Sequence, residues 1–90
     1  MRVQIADEGA TRLAELLEHN SHCTTLFLQG NCIGDAGAAR LAQMLGANVT
    51  LTHIDLSDNL IGAEGLRCFA EVLRDDKVVA SHRPLVGTIK

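Results

Sequence analysis

Three polar residues at alternate positions, His53, Asp55 and Ser57, supply the side-chain types of a nucleophilic hydrolase relay. A relay requires the imidazole to be hydrogen-bonded to both neighbours beside an oxyanion hole. Spacing of two instead places all three on one face of an extended strand, projecting in parallel about 6–7 Å apart. They form a row, so the chain is not expected to be an enzyme. A second group, His19, His22, Cys23 and Cys32, carries atoms that bind zinc. No Cys-x-x-Cys or His-x-x-x-His spacing ties two of them together. Cys23 stands where the chain has Leu51 one period later, and Cys32 falls in a turn. No metal and no other cofactor is expected. Glycines 34, 37, 62 and 65 recur with the same period and read as turn and helix-entry residues, not as a phosphate cradle.

The composition narrows the function classes further. Ninety residues, 47% hydrophobic, allow one small domain, whose apolar content is Leu, Ala, Val and Ile with two Phe and no Tyr or Trp. Small aliphatic layers are expected in place of an aromatic-centred core. A net charge of -3 without a Lys/Arg cluster gives no footprint for a phosphate backbone, and stacking aromatics are scarce, so nucleic acid is not an expected partner. No apolar run approaches the roughly 20 residues that span a bilayer. The first ten residues reach acidic side chains too early for a secretory segment. Cys23, Cys32 and Cys68 are an odd number at irregular spacing, which favours reduced thiols over a disulfide framework. The expectation is a soluble, cytoplasmic chain with no membrane association.

The elements that position these residues follow from an internal repeat. A shift of 28 places Leu26 on Ile54, Leu28 on Leu56, Asn31 on Asn59, Ile33 on Ile61, Gly34 on Gly62, Gly37 on Gly65, Ala42 on Ala70 and Leu45 on Leu73. Upstream, nine of eighteen positions between 5–22 and 33–50 are identical, among them Asp7/Asp35, Leu13/Leu41 and Asn20/Asn48, which chance does not supply. Each unit has two halves of different periodicity. Residues 51–59 alternate about Ile54 and Leu56, as 23–31 do about Leu26 and Leu28, which is the pattern of a half-buried strand. Beyond a glycine turn, Ala38, Leu41, Ala42 and Leu45 lie on one helical stripe, repeated by Ala10, Leu13, Ala14 and Leu17 and by Leu66, Phe69, Ala70 and Leu73. Helices are predicted over about 7–19, 35–47 and 63–75.

The pattern L-x-x-L-x-L-x-x-N, with a following Ile-Gly and a later Gly, is complete at 51–65 and present at 23–37 with Cys23 replacing the first Leu. A strand and a helix in 28 residues resembles the leucine-rich repeat, and the helix makes it similar to the ribonuclease-inhibitor-like subtype. The resemblance covers about residues 3–79 and implies an α/β solenoid of two to three repeats, with a short parallel sheet on the concave side and helices on the convex side. The expected division is an array over 1–79, in units of about 1–22 (partial), 23–50 and 51–78, followed by a tail over 80–90. The resemblance also implies that Asn31 and Asn59 form a ladder bonding neighbouring backbone in the turn after each strand.

At the ends the pattern fails. Val3 stands where a ladder Asn belongs, and His82 and Pro84 replace the counterparts of Ile54 and Leu56; Pro cannot donate to a sheet. A piece of a longer array, a free-standing protein whose tail folds over an open end, and a protomer that stacks on another copy all remain open. In the family, proteins bind mainly inside the curve. The residues directed there are Thr25, Phe27 and Gln29 from one unit and His53, Asp55 and Ser57 from the next, with Asp58 at the rim. An aromatic at an outward strand position has no core to fill, and aromatics anchor interfaces. The expected function is a protein-interaction module related to a larger intracellular scaffold, sensor or inhibitor. The alternative is a structural protein that self-associates through open repeat ends. The ladder makes a measurable prediction: Asn31→Ala or Asn59→Ala strands turn groups without partners and lowers stability by about 1–3 kcal/mol each, read from the urea unfolding midpoint.

Overall fold

Helices form where apolar residues recur at three- and four-residue spacing, and strands where they alternate. The computed structural model describes residues 5–48 and 50–74, which run α1 (Ala6–Leu17), β1 (Thr25–Phe27), α2 (Asp35–Ala47), β2 (His53–Asp55) and α3 (Ala63–Leu73), an α/β arrangement. The partial strand expected before α1 and the tail over 80–90 lie outside the described residues. α1 ends two residues before the predicted position 19, for a local reason. The Asn20 N–H donates to the Leu17 carbonyl, and the Asn20 Oδ1 accepts from the N–H groups of His22 and Cys23 at 2.9 and 2.7 Å, which turns the chain toward β1.

β1 and β2 pair in parallel with Leu26 opposite Ile54, Thr25 opposite His53 and Phe27 opposite Asp55. Equivalent residues one period apart are therefore neighbours in space. Each strand is three residues long, shorter than the alternation over 23–31 and 51–59 suggests, because the chain turns soon after Leu28 and Leu56. That turn needs left-handed backbone at Gly30 (φ 66°) and at Asp58 (φ 59°), the same position in successive units. Glycine adopts this conformation freely and Asp tolerates it.

Polar side chains of one unit bond the backbone of a neighbouring unit at three places. In the turn after the strands, the Asn59 Oδ1 accepts from Asn31 N–H (3.0 Å) and Ile33 N–H (2.9 Å), while its Nδ2 donates to the carbonyls of Leu28 and Leu56. The Asn31 Oδ1 accepts from Ile5 N–H at 3.4 Å. At the helix C-termini, Asn48, 2% exposed, donates to the Leu17 carbonyl and accepts from Leu51 N–H. At the helix N-termini the caps are borrowed. Neither Gly34 nor Gly62 has a capping side chain. Instead the Asp7 Oδ1 accepts from Gly34 N–H (2.7 Å) and Gly37 N–H (3.0 Å), and the Asp35 Oδ1 from Gly62 N–H (2.7 Å) and Gly65 N–H (3.1 Å). A carboxylate there satisfies orphan amides and opposes the positive end of the helix dipole. Ala63 holds the corresponding place in α3, so the carboxylate series stops there.

The core lies between the sheet and the helices: Leu28, Ile33, Leu41, Leu45, Leu51, Ile54, Leu56 and Phe69 are buried. Burying a side chain of that size is worth about 1.5–3 kcal/mol. Small residues let the helices approach, since Ala10, Ala14, Ala38 and Ala42 are buried along their contact line. Cys23 is half-buried at the position where Leu51 is fully buried. One member of the third helical stripe departs from expectation: Leu66 is 60% exposed although its counterpart Ala38 is fully buried. Ala38 is covered by α3, and among the described residues no further helix lies against α3.

Gly65 sits where that approach is close. A Cβ there would sit 2.6 Å from Ile61 Cγ2, 2.9 Å from Asp35 Oδ1 and 3.0 Å from Ala38 Cβ. Overpacking costs about 1–3 kcal/mol, against about 1 kcal/mol gained from the better helix propensity of Ala. The predicted outcome of Gly65→Ala is therefore net destabilisation in denaturant unfolding. A stabilised variant would contradict this account of the helix contact.

Candidate functional site

With Leu26 and Ile54 turned inward, their strand neighbours face the other way. Thr25 and Phe27 on β1 are exposed, as is His53 on β2, while Asp55 is half-buried. Gln29, Ser57 and Asp58 are exposed in the turns that follow the strands rather than on the strands themselves. The parallel register sets Phe27 beside Asp55 and Thr25 beside His53, bringing four of the seven candidate residues into one strip. Phe27 is 67% exposed, with its ring outside the core.

Two local contacts hold polar groups of the strip. The Asp55 Oδ1 accepts from the Ser57 N–H at 3.0 Å and from the Ser57 hydroxyl. The His53 Nδ1 is 2.9 Å from the Thr52 hydroxyl. Ser57 is thus committed to the carboxylate and the imidazole to a threonine. Asp58, placed at the rim, occupies a left-handed turn position, which is a backbone reason for an Asp independent of any partner. Cys23, Cys32 and Cys68 are half-buried, and the Cys23 Sγ donates to the Thr25 carbonyl. Among the described residues, no group of three or more His, Cys, Asp or Glu is placed to hold a metal ion, and no helix is long and apolar enough to cross a membrane.

The helix side is different in charge. Arg12 pairs with Glu8 (3.1 Å), Arg40 with Glu18 (3.8 Å) and Arg67 with Glu64 (2.6 Å). The hydrogen bond that the Arg67 guanidinium donates to the Glu64 carboxylate raises the pKa of Arg67. Exposed pairs such as Arg12–Glu8 and Arg67–Glu64 contribute little to stability. Their consequence is a distribution: the described arginines, including Arg74 after α3, all belong to the helices or their ends.

Sequence reasoning about the Asn31 and Asn59 turn did not assign roles to Asp7, Asp35, Asn20 or Asn48, which the structure places at the helix ends. The signal was present, because Asp7/Asp35 and Asn20/Asn48 are identical polar residues one period apart. Identity of short polar residues on a fixed period points to side chain–backbone bonds across units.

Comparison with known proteins gives two findings. Residues 19–42 and 47–70, together more than half of the chain, match the family described as Leucine Rich repeat. Among solved structures, the chain is similar to leiomodin-1 actin-binding site 2, with 28% sequence identity and a TM-score of 0.72 over 79% of this chain and 44% of that one. The chain thus spans less than half the length of that structure. No curated protein sequence matches it significantly.

An exposed ring separates binding from folding. Phe27→Ala is predicted to leave unfolding stability within about 0.5 kcal/mol of wild type, whereas Leu41→Ala, at a fully buried position, costs about 2–5 kcal/mol. Thermal or urea unfolding of the two variants side by side checks both values.

Proposed function

This chain belongs to the leucine-rich repeat family, and from that premise we propose that it is a protein-interaction module of the ribonuclease-inhibitor-like subtype, holding its partner on the strand face. The observation that carries the reading is the strip made by Phe27, Asp55, Thr25 and His53: an aromatic ring without a core to fill, flanked by anchored polar groups on a scaffold. Rigid aromatic anchors surrounded by polar groups are the usual composition of interface hot spots. In this reading the strand face is the concave side of a solenoid, Gln29, Ser57 and Asp58 form its rim, and the module acts in the cytoplasm without catalysis.

The similar actin-binding structure supports a protein partner and makes actin the first one to test. The alternative of self-association through open ends finds less support. Ala63 offers no carboxylate to cap the first helix of a following copy, as Asp7 and Asp35 cap α2 and α3.

Titration of purified monomeric actin against wild type and a Phe27→Ala, Asp55→Ala double variant tests partner and surface together. Removal of a hot-spot pair is expected to weaken binding by about tenfold or more. If actin does not bind, affinity capture with the same two proteins decides on the surface alone. Identical captured proteins from folded wild type and variant would remove the strand face as the site.

A further inference from the structure

We infer that the outer edge of β1 takes an extended aliphatic segment of a partner protein as an additional parallel strand, a second contact surface distinct from the strand face. In the two-stranded sheet β1 pairs along one edge only. The Leu28 N–H donates to the Asp55 carbonyl at 2.8 Å, and the His53 N–H donates to the Thr24 carbonyl at 3.1 Å. Even-numbered residues around β1 therefore bond β2. Because backbone groups alternate sides along a strand, Thr25 and Phe27 direct their N–H and C=O groups to the opposite edge. The Thr25 carbonyl accepts the weak Cys23 Sγ donor and keeps a second lone pair. Among the described residues no strand pairs with this edge. An open edge is a template for strand addition.

The core beneath the edge is less covered than one unit further on. Cys23 is half-buried where Leu51 is fully buried, and Leu26 is half-buried where Ile54 is buried. Ile54 has β1 beside it, and Leu26 has no strand of a preceding unit among the described residues. The Asn pair differs in the same sense. The Asn59 Nδ2 donates to the Leu28 carbonyl of the preceding unit at 2.8 Å, whereas the Asn31 Nδ2 donates to the Gln29 carbonyl of its own unit at 3.1 Å. A strand added in the β1–β2 register brings a carbonyl to Asn31 as Leu28 brings one to Asn59. By the 28-residue shift, residues 1–4 correspond to the turn 29–32 and not to a strand.

These features select the ligand. A side chain placed opposite Leu26 enters the layer under the sheet and must be apolar. A large one is favoured beside Cys23, which is smaller than the Leu51 of the next unit. The edge of β2 offers less to gain, since Leu51, Ile54 and Leu56 are already buried. A second copy of the chain fits less well. It would set Leu66 against Gly9, where the chain's own helix contacts set Ala10 against Gly37 and Ala38 against Gly65.

The test is a titration of the ¹⁵N-labelled full chain with a capped peptide of residues 51–59, which contains the strand that β1 already pairs with in parallel on its other edge. The largest amide shifts are expected at Thr25 and Phe27, whose N–H groups gain acceptors. Methylating the peptide nitrogen at the position of Leu56, whose N–H would donate to the Phe27 carbonyl, is expected to weaken binding by about tenfold. Methylation at the position of Asp55, whose N–H points away, is expected to leave it within about twofold. An Ile54→Asp peptide is expected not to bind. Equal weakening by the two methylations would show contact without strand pairing and overturn the inference. So would shifts largest at Ile54 and Leu56, which place the peptide on β2, shifts centred on Leu16, which place it on the helices, or no binding at millimolar peptide. Thr25 and Phe27 shifts that move with chain concentration alone would make a second copy the occupant and overturn the partner strand. None of these outcomes bears on the strand face, which the Phe27→Ala, Asp55→Ala variant tests separately.

Discussion

The structure depends on pairing the backbone groups of its turns. A chain that passes from helix to strand and back within 28 residues, using strands of three residues, leaves most of its loop N–H and C=O groups outside any helix or ladder. Stacked units partly enclose those groups, and an enclosed group without a partner costs about as much as a lost hydrogen bond. Short polar side chains bridge the gap. Asn59 bonds backbone of both its own unit and the preceding one, Asn48 does the same at the helix C-termini, and Asp7 and Asp35 reach the N-termini of the following helices. The sequence separations of these contacts cluster around one repeat because each side chain meets the unit stacked on its own.

The packing of the helices is governed by the same contacts. An Asp in the first turn of α2 reaches the amides of α3 only if the two helices come close, and closeness requires small residues along the line between them. Gly37 and Gly65 serve there despite their poor helix propensity, because a methyl group at either would collide with the capping carboxylate and with an Ile of the turn. The layers behind this line bury Leu41, Leu45, Leu51 and Ile54, with Phe69 as their one aromatic ring among the described residues. A small domain builds its core in this way because each unit completes the apolar face of its neighbour.

The outward strand residues stand apart from this core. Thr25, Phe27 and His53 take no part in the core, and Asp55 accepts hydrogen bonds from Ser57 in the adjacent turn. The strand face and the helix face consequently differ in kind. Among the described residues, the helices carry Arg12, Arg40 and Arg67, each paired with a glutamate, while the strands carry an aromatic ring and carboxyl, imidazole and hydroxyl groups.

Much of this was determined by the sequence alone, because periodicity is a local property. The change from alternation to three- and four-residue spacing located three helices to within two residues at their ends, and the shift of 28 implied Leu26 beside Ile54. The outward position of Phe27 followed from strand parity. Tertiary structure alone decided what each recurring polar residue does, since the partner of an Asp7 or Asn48 bond lies about one repeat away in sequence and no local rule identifies it. It also decided where the strands stop, placing Gln29 and Ser57 in turns, and which stripe stays open, leaving Leu66 exposed where Ala38 is covered. Burial depends on what stacks against a face, and a residue's own period does not carry that information.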